Sequence, residues 1–105
     1  MVLYEVNLSV DRDIADAYGT WLQPHIREIL ALDGFEHAMW YTVESGADAP
    51  RVEWCVQYLL RDREALDTYM TEHAERLRGD GLARFEGRFE AHRRVLVSRA
   101  SVQAG

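Results

Sequence analysis

From Val2 to Val10 the chain alternates, with Val2, Tyr4, Val6, Leu8 and Val10 on one side and Leu3, Glu5, Asn7 and Ser9 on the other. A period of two is that of a strand with one face on a core. The period then changes. Asp11 offers a helix N-cap, and Ile14, Tyr18, Trp21 and Leu22 follow at i, i+4, i+7 and i+8. Pro24 removes an amide donor, so the pattern predicts a helix that is kinked or in two pieces, with Ile26, Ile29 and Leu30 extending the stripe to Gly34.

Phe35 to Glu44 is rich in aromatic and β-branched residues and ends in the turn formers Ser45-Gly46-Ala47-Asp48-Ala49-Pro50. A hairpin to a third segment, Arg51 to Leu60, is expected. There Val52, Trp54, Val56, Tyr58 and Leu60 alternate with Glu53, Cys55, Gln57 and Leu59. Asp62 can cap a second helix with the stripe Ala65, Leu66, Tyr69, Met70, His73 and Leu77, ended by Gly79 or Gly81. A turn holding Leu82 and Phe85 leads to a last strand, Phe89 to Ser98. The expectation is one domain over residues 1–99, followed by a flexible tail, residues 100–105.

The order is βαββαβ, which predicts an α+β fold of the ferredoxin-like kind: a four-stranded antiparallel sheet with two helices on one face. Two helices leave the other face open. That face mixes Leu3, Cys55, Leu59 and Leu96 with Glu5, Asn7, Glu53, Gln57, His92 and Arg94. It is neither polar enough to stay solvated nor apolar enough to be core, and a second copy packed on it resolves the conflict. A homodimer through the sheet face is therefore expected.

Particular residues also resemble a family. The run Trp21-Leu22-x-x-His25-Ile26-x-Glu28-x-Leu30, then Gly34-Phe35, Val56-Gln57-Tyr58, Glu72-His73-Ala74-x-x-Leu77-Arg78 and Phe85-x-x-Arg88-Phe89 are similar to an uncharacterised bacterial domain-of-unknown-function family (DUF4286-like) of the dimeric α+β barrel superfamily. The resemblance runs through nearly the whole chain. It implies two sheets joined face to face. Members of that superfamily include cofactor-independent monooxygenases, haem-degrading enzymes and small isomerases, so the resemblance implies a fold and no single activity. The haem-degrading members use an asparagine, a tryptophan and a histidine. This chain has Asn7, Trp54 and His73, but Leu60 stands where their tryptophan closes the third strand.

Composition narrows the partners. All 12 basic residues are arginine, set among 18 acids for a net charge of −6, with no basic stripe to follow a phosphate backbone. Nucleic acid is not an expected partner. No apolar run has the length of a membrane helix, and the start lacks a basic and then apolar leader, so a cytoplasmic protein with no membrane partner is expected. Cys55 is the single cysteine, which excludes an internal disulfide and any multi-cysteine zinc site. No glycine-rich phosphate loop, nucleophile elbow or ligand-spaced histidine run is present, so neither a metal nor a cofactor is expected.

Two groups of residues carry candidate chemistry. His25 follows Trp21 by four residues and His73 follows Tyr69 by four, so each histidine shares a helix face with an aromatic. If both border one pocket, they are candidate acid–base residues, with Trp21 and Tyr69 binding a small, partly aromatic metabolite. Asn7 and Gln57, with Glu5, His92 and Arg94, form a second candidate ligand-binding group on the sheet face turned away from the helices. The competing expectation is a non-catalytic dimeric structural or regulatory module, in which the same residues serve packing and seam.

Overall fold

The computed structural model describes residues 1–105. Its elements are β1 (Val2–Asp11), α1 (Ala15–Leu30), β2 (Phe35–Val43), β3 (Arg51–Leu60), α2 (Arg63–Glu72), α3 (Ala74–Phe85) and β4 (Phe89–Val97). A single turn of 3₁₀ helix, Arg12–Ile14, joins β1 to α1. The strands form one antiparallel sheet in the order β2-β3-β1-β4. This is the expected α+β ferredoxin-like fold.

Register decides the two faces. Tyr4 lies between Tyr58 and Val95, and Glu5 between Gln57 and Arg94, so the alternation along β1 propagates across its neighbours. On the helix side, Val2, Tyr4, Leu8, Val10, Val56, Tyr58 and Leu60 join a core with Tyr18, Leu22, Ile26 and Ile29 of α1, Leu66 and Tyr69 of α2, and Leu77 of α3. Full burial of each such side chain contributes about 1.5–3 kcal/mol, which is what holds the helices on the sheet.

The structure departs from the sequence pattern at both helices. Pro24 lies inside α1, which is continuous over 16 residues instead of being split. Nor does Asp11 cap the helix. Its two carboxylate oxygens accept from Arg51 Nε at 3.0 Å and Arg88 Nε at 2.8 Å, tying the end of β1 to β3 and to the turn before β4. Asp62 does cap α2, accepting from the Ala65 amide at 2.9 Å.

Gly79 and Gly81 do not end the second helix, since α3 passes through both and takes in Leu82 and Phe85. Gly81 lies so close to Trp21 that an added Cβ would sit 3.0 Å from its ring. The helix instead bends at His73, where φ is −128°. Tyr69 and Ala74 are both buried while His73 is only half buried, so the buried stripe slips one position out of a regular helical phase there. Met70, expected on the stripe, is exposed.

Gly34 closes α1 with φ +86°, and a Cβ there would overlap the Ala65 Cβ. Only glycine allows α2 to start that close to the α1–β2 turn. Glu36 is an extra residue in β2, a bulge between Phe35 and His37 that keeps Phe35 on the core side. Residues 98–105 form no helix or strand.

Candidate functional site

A cavity of about 50 Å³ lies between the helices and the sheet, bordered by α1, α2, α3, β1, β3 and β4. Trp21 and His25 reach it from α1, Tyr69 from α2, and Leu77, Arg78 and Gly81 from α3. Tyr4, Tyr58, Phe89 and Arg93 border it from the strands. Three of the four predicted helix-side residues, Trp21, His25 and Tyr69, are thus brought together. His73 is not: it sits at the bend between α2 and α3 and does not line the cavity.

The i, i+4 spacing stacks His25 on Trp21, with ring centroids 4.4 Å apart and planes 24° from parallel. Burial pushes the His25 pKa below its usual 6.5, against the opposing pull of Glu28 and Asp80. The imidazole is therefore neutral near pH 7 and can accept a proton. Burial also raises the phenols Tyr18 and Tyr69 to about 12, and Tyr58 upward as well, so these remain protonated donors. The Tyr4 hydroxyl accepts from Arg78 Nη2 at 3.0 Å.

The second predicted group also assembles, with Glu5, one of its named members, at the centre. Glu5 is 3% exposed although it lies on the open face. Its Oε1 accepts from Asn7 Nδ2 at 2.9 Å and Arg94 Nε at 2.6 Å, and its Oε2 accepts from Gln57 Nε2 at 2.8 Å. Hydrogen bonds from Asn7, then Arg94 and Gln57, outweigh desolvation and hold the carboxyl at a pKa of about 2. Asn7 and Gln57 therefore spend donors on Glu5 itself. The signal for this hub was present in the sequence: the only acid in the apolar half of β1, at the position where three neighbouring amide and guanidinium side chains converge once the register is known.

Beyond the hub, Ser9, Glu53, Glu90, His92 and Val43 surround an open concavity of about 340 Å³ at one end of the same face. Asn7, Trp54 and His73 do not converge: Asn7 faces the open side, the Trp54 ring packs 6.2 Å from Tyr18 on the helix side, and His73 lies at the helix bend. No group of three or more His, Cys, Asp or Glu side chains is arranged to hold a metal ion.

With this geometry in place, comparison with known proteins separates family from function. The model of the family described as "Domain of unknown function (DUF4286)" matches residues 1–98. The chain belongs to that family. No curated protein matches it. Among solved structures it is similar to a candidate antibiotic biosynthesis monooxygenase from Deinococcus radiodurans, at 12% identity and a TM-score of 0.73, covering 100% of this chain and 99% of that one. SnoaB, a cofactor-independent oxygenase from Streptomyces nogalater, gives 9% identity and a TM-score of 0.68, with 98% of each chain covered. The de novo designed protein Foldit4 gives 17% identity and a TM-score of 0.66, covering 93% of this chain and 98% of that one. At such identities these likenesses establish the fold that DUF4286 shares with these proteins, and the presence of a designed protein among them separates that fold from any one chemistry. No helix is long and apolar enough to cross a membrane.

Proposed function

We propose that this DUF4286 chain works as a homodimer joined through the open sheet face, each protomer binding a small molecule in the helix-side cavity. The observation that carries the binding site is the neutral imidazole of His25, stacked on Trp21 at the edge of an otherwise mainly apolar cavity. A flat ring extending that stack would meet a base ready to take a proton from a phenolic or carbonyl group, with Tyr69 as a donor opposite. SnoaB, a cofactor-independent oxygenase that shares the fold at 9% identity, is consistent with chemistry that needs no cofactor, and the aromatic stack is what favours a small, partly aromatic metabolite. His73 has no part in this site. The seam is supported by Met39, Tyr41 and Val43, all exposed on β2, and by Leu3, Leu59 and Leu96, half buried on the same face. A second sheet packed there would cover them and enclose the Glu5 hub.

The experiment is a thermal-shift screen over aromatic acids, quinones, haem and divalent metals, since a ligand stabilises the folded state by mass action. The expected result is a saturable rise in Tm with an aromatic compound that is lost in His25→Gln. A rise that survives unchanged in that variant overturns the site. Light scattering tests the seam, and a monomer at micromolar concentration overturns it.

A second reading, a non-catalytic dimeric module, is favoured by one observation. The cavity of about 50 Å³ is well below the roughly 300 Å³ of an ordinary ligand pocket. On that reading the whole screen is blank while the dimer persists.

A further inference from the structure

We infer that the helix-side cavity is a carboxylate site, in which Arg78 Nε donates to one carboxylate oxygen of a small organic acid. The inference rests on the reading that this cavity binds a ligand, and names the ligand's charged group.

Arg78 is unusual among the arginines of this chain. Arg51, Arg61, Arg63, Arg76, Arg88 and Arg94 each pair with a carboxylate. The other six of the 12 arginines pair with none, and of these Arg78 and Arg93 line the cavity. Arg78 Nη2 is held by the Tyr4 hydroxyl at 3.0 Å and Met70 Sδ at 3.5 Å. Its Nε is buried, and no protein atom accepts from it. Arg78 as a whole is half buried, so its charge is partly solvated, and it is the Nε–H alone that lacks an acceptor, at the cost of one buried donor left unsatisfied.

The surroundings match an anion. Of the 16 residues lining the cavity none is acidic, in a chain with 18 Asp and Glu. Tyr18, Tyr58 and Tyr69 there are neutral donors, and His25 is an uncharged neighbour that does not compete for the anion. A guanidinium presented among aromatic walls is the usual complement to a planar carboxylate. Size limits the rest of the ligand. At about 50 Å³ the space is a third of the roughly 150 Å³ cavity that accepts benzene, yet several times the 10–15 Å³ that a water needs. It takes a carboxylate and a short stem. An aromatic acid would enter head first and leave its ring towards the mouth.

The test uses the full chain and matched pairs at constant ionic strength: acetate with acetamide, propionate with propionamide, benzoate with benzamide, followed by calorimetry and thermal shift. At least one acid is expected to bind about tenfold or more tightly than its amide, as one charge-assisted hydrogen bond implies. Arg78→Met is expected to abolish that preference and Arg78→Lys to keep part of it. Because Arg78 also holds Tyr4, Tyr4→Phe serves as the control: it removes that hydrogen bond, leaves the guanidinium, and is expected to retain the preference for acids. Acids and amides binding alike would overturn the carboxylate site while leaving the cavity as a binding site, with water answering Arg78 Nε. Acid binding unchanged in Arg78→Met would also overturn it, by placing the anion elsewhere. If no compound of this series or of the wider screen binds, the cavity reading fails together with the inference.

Discussion

The two faces of one sheet are buried by different physics. On the helix side, Val10, Val56 and Leu60 are at most 1% exposed, and they are covered by apolar side chains from three helices. On the open side no helix covers anything, yet Glu5 is 3% exposed. There the cover is polar: Asn7, Gln57 and Arg94 lie over the carboxylate and donate to it. Apolar burial is non-directional and tolerates small shifts, whereas three converging hydrogen bonds require one register of β1 against β3 and β4. The covered face therefore supplies most of the stability, and the open face specifies pairing and leaves Met39, Tyr41 and Val43 available to a partner.

Neighbouring leucines give the sharpest way to break this contrast. Leu60 faces the helices and Leu59 the open side. Leu60→Ala is expected to destabilise by about 2–5 kcal/mol, the range for a fully buried leucine. The loss should be independent of protein concentration in a denaturation series. Leu59→Ala is expected to lower Tm less and, on the proposed pairing through this face, in a concentration-dependent way, because that pairing places Leu59 between copies. Equal, concentration-independent losses would erase the distinction.

Next in size is the hub. Glu5→Ala leaves three donors without their acceptor and is expected to cost about 1–3 kcal/mol. Its titration has a definite sign. The folded pKa of about 2 lies below the ordinary 4.5, so the contribution is complete above pH 4.5 and is lost as the pH falls towards 2. Acid titrations followed by circular dichroism should show this loss in the parent and a smaller one in Glu5→Gln.

Smaller effects probe the helix cover. The His25 midpoint, read by NMR, is expected below 6.5, and stability linked to this group is full above 6.5 and declines as the pH falls below it. A midpoint at or above 6.5 would mean that the ring is not desolvated and would break the account of the helix-side cavity. Gly79 lies within α3 with nothing within 4 Å of an added Cβ. Gly79→Ala is expected to stabilise by up to about 1 kcal/mol through helix propensity alone, without altering ligand binding.

Much of the fold was legible because strands and helices impress their periods on the sequence. The alternation in β1 and β3, the Asp62 cap and the hairpin after Val43 all follow from residues close in the chain. The errors share a cause. Gly81 and Pro24 are local helix breakers, and each is overridden by packing: Gly81 by its fit against Trp21, and α1 by its buried stripe on both sides of Pro24. The candidate site was legible in part. Trp21 and His25 meet because four residues make one helical turn, whereas His73 required knowing that the stripe slips between Tyr69 and Ala74.

What the sequence determined by itself is the set of elements, their order and which side of each is apolar, since these depend on contacts within a turn or along a strand. The tertiary structure alone decided what depends on residues far apart in the chain. It brought Arg94 onto Glu5 across 89 positions and Arg78 onto Tyr4 across 74. It also left one guanidinium nitrogen of Arg78 buried without an acceptor while the Tyr4 hydroxyl holds another, a placement set by how α3 packs over β1 and not by any residue near Arg78 in the chain.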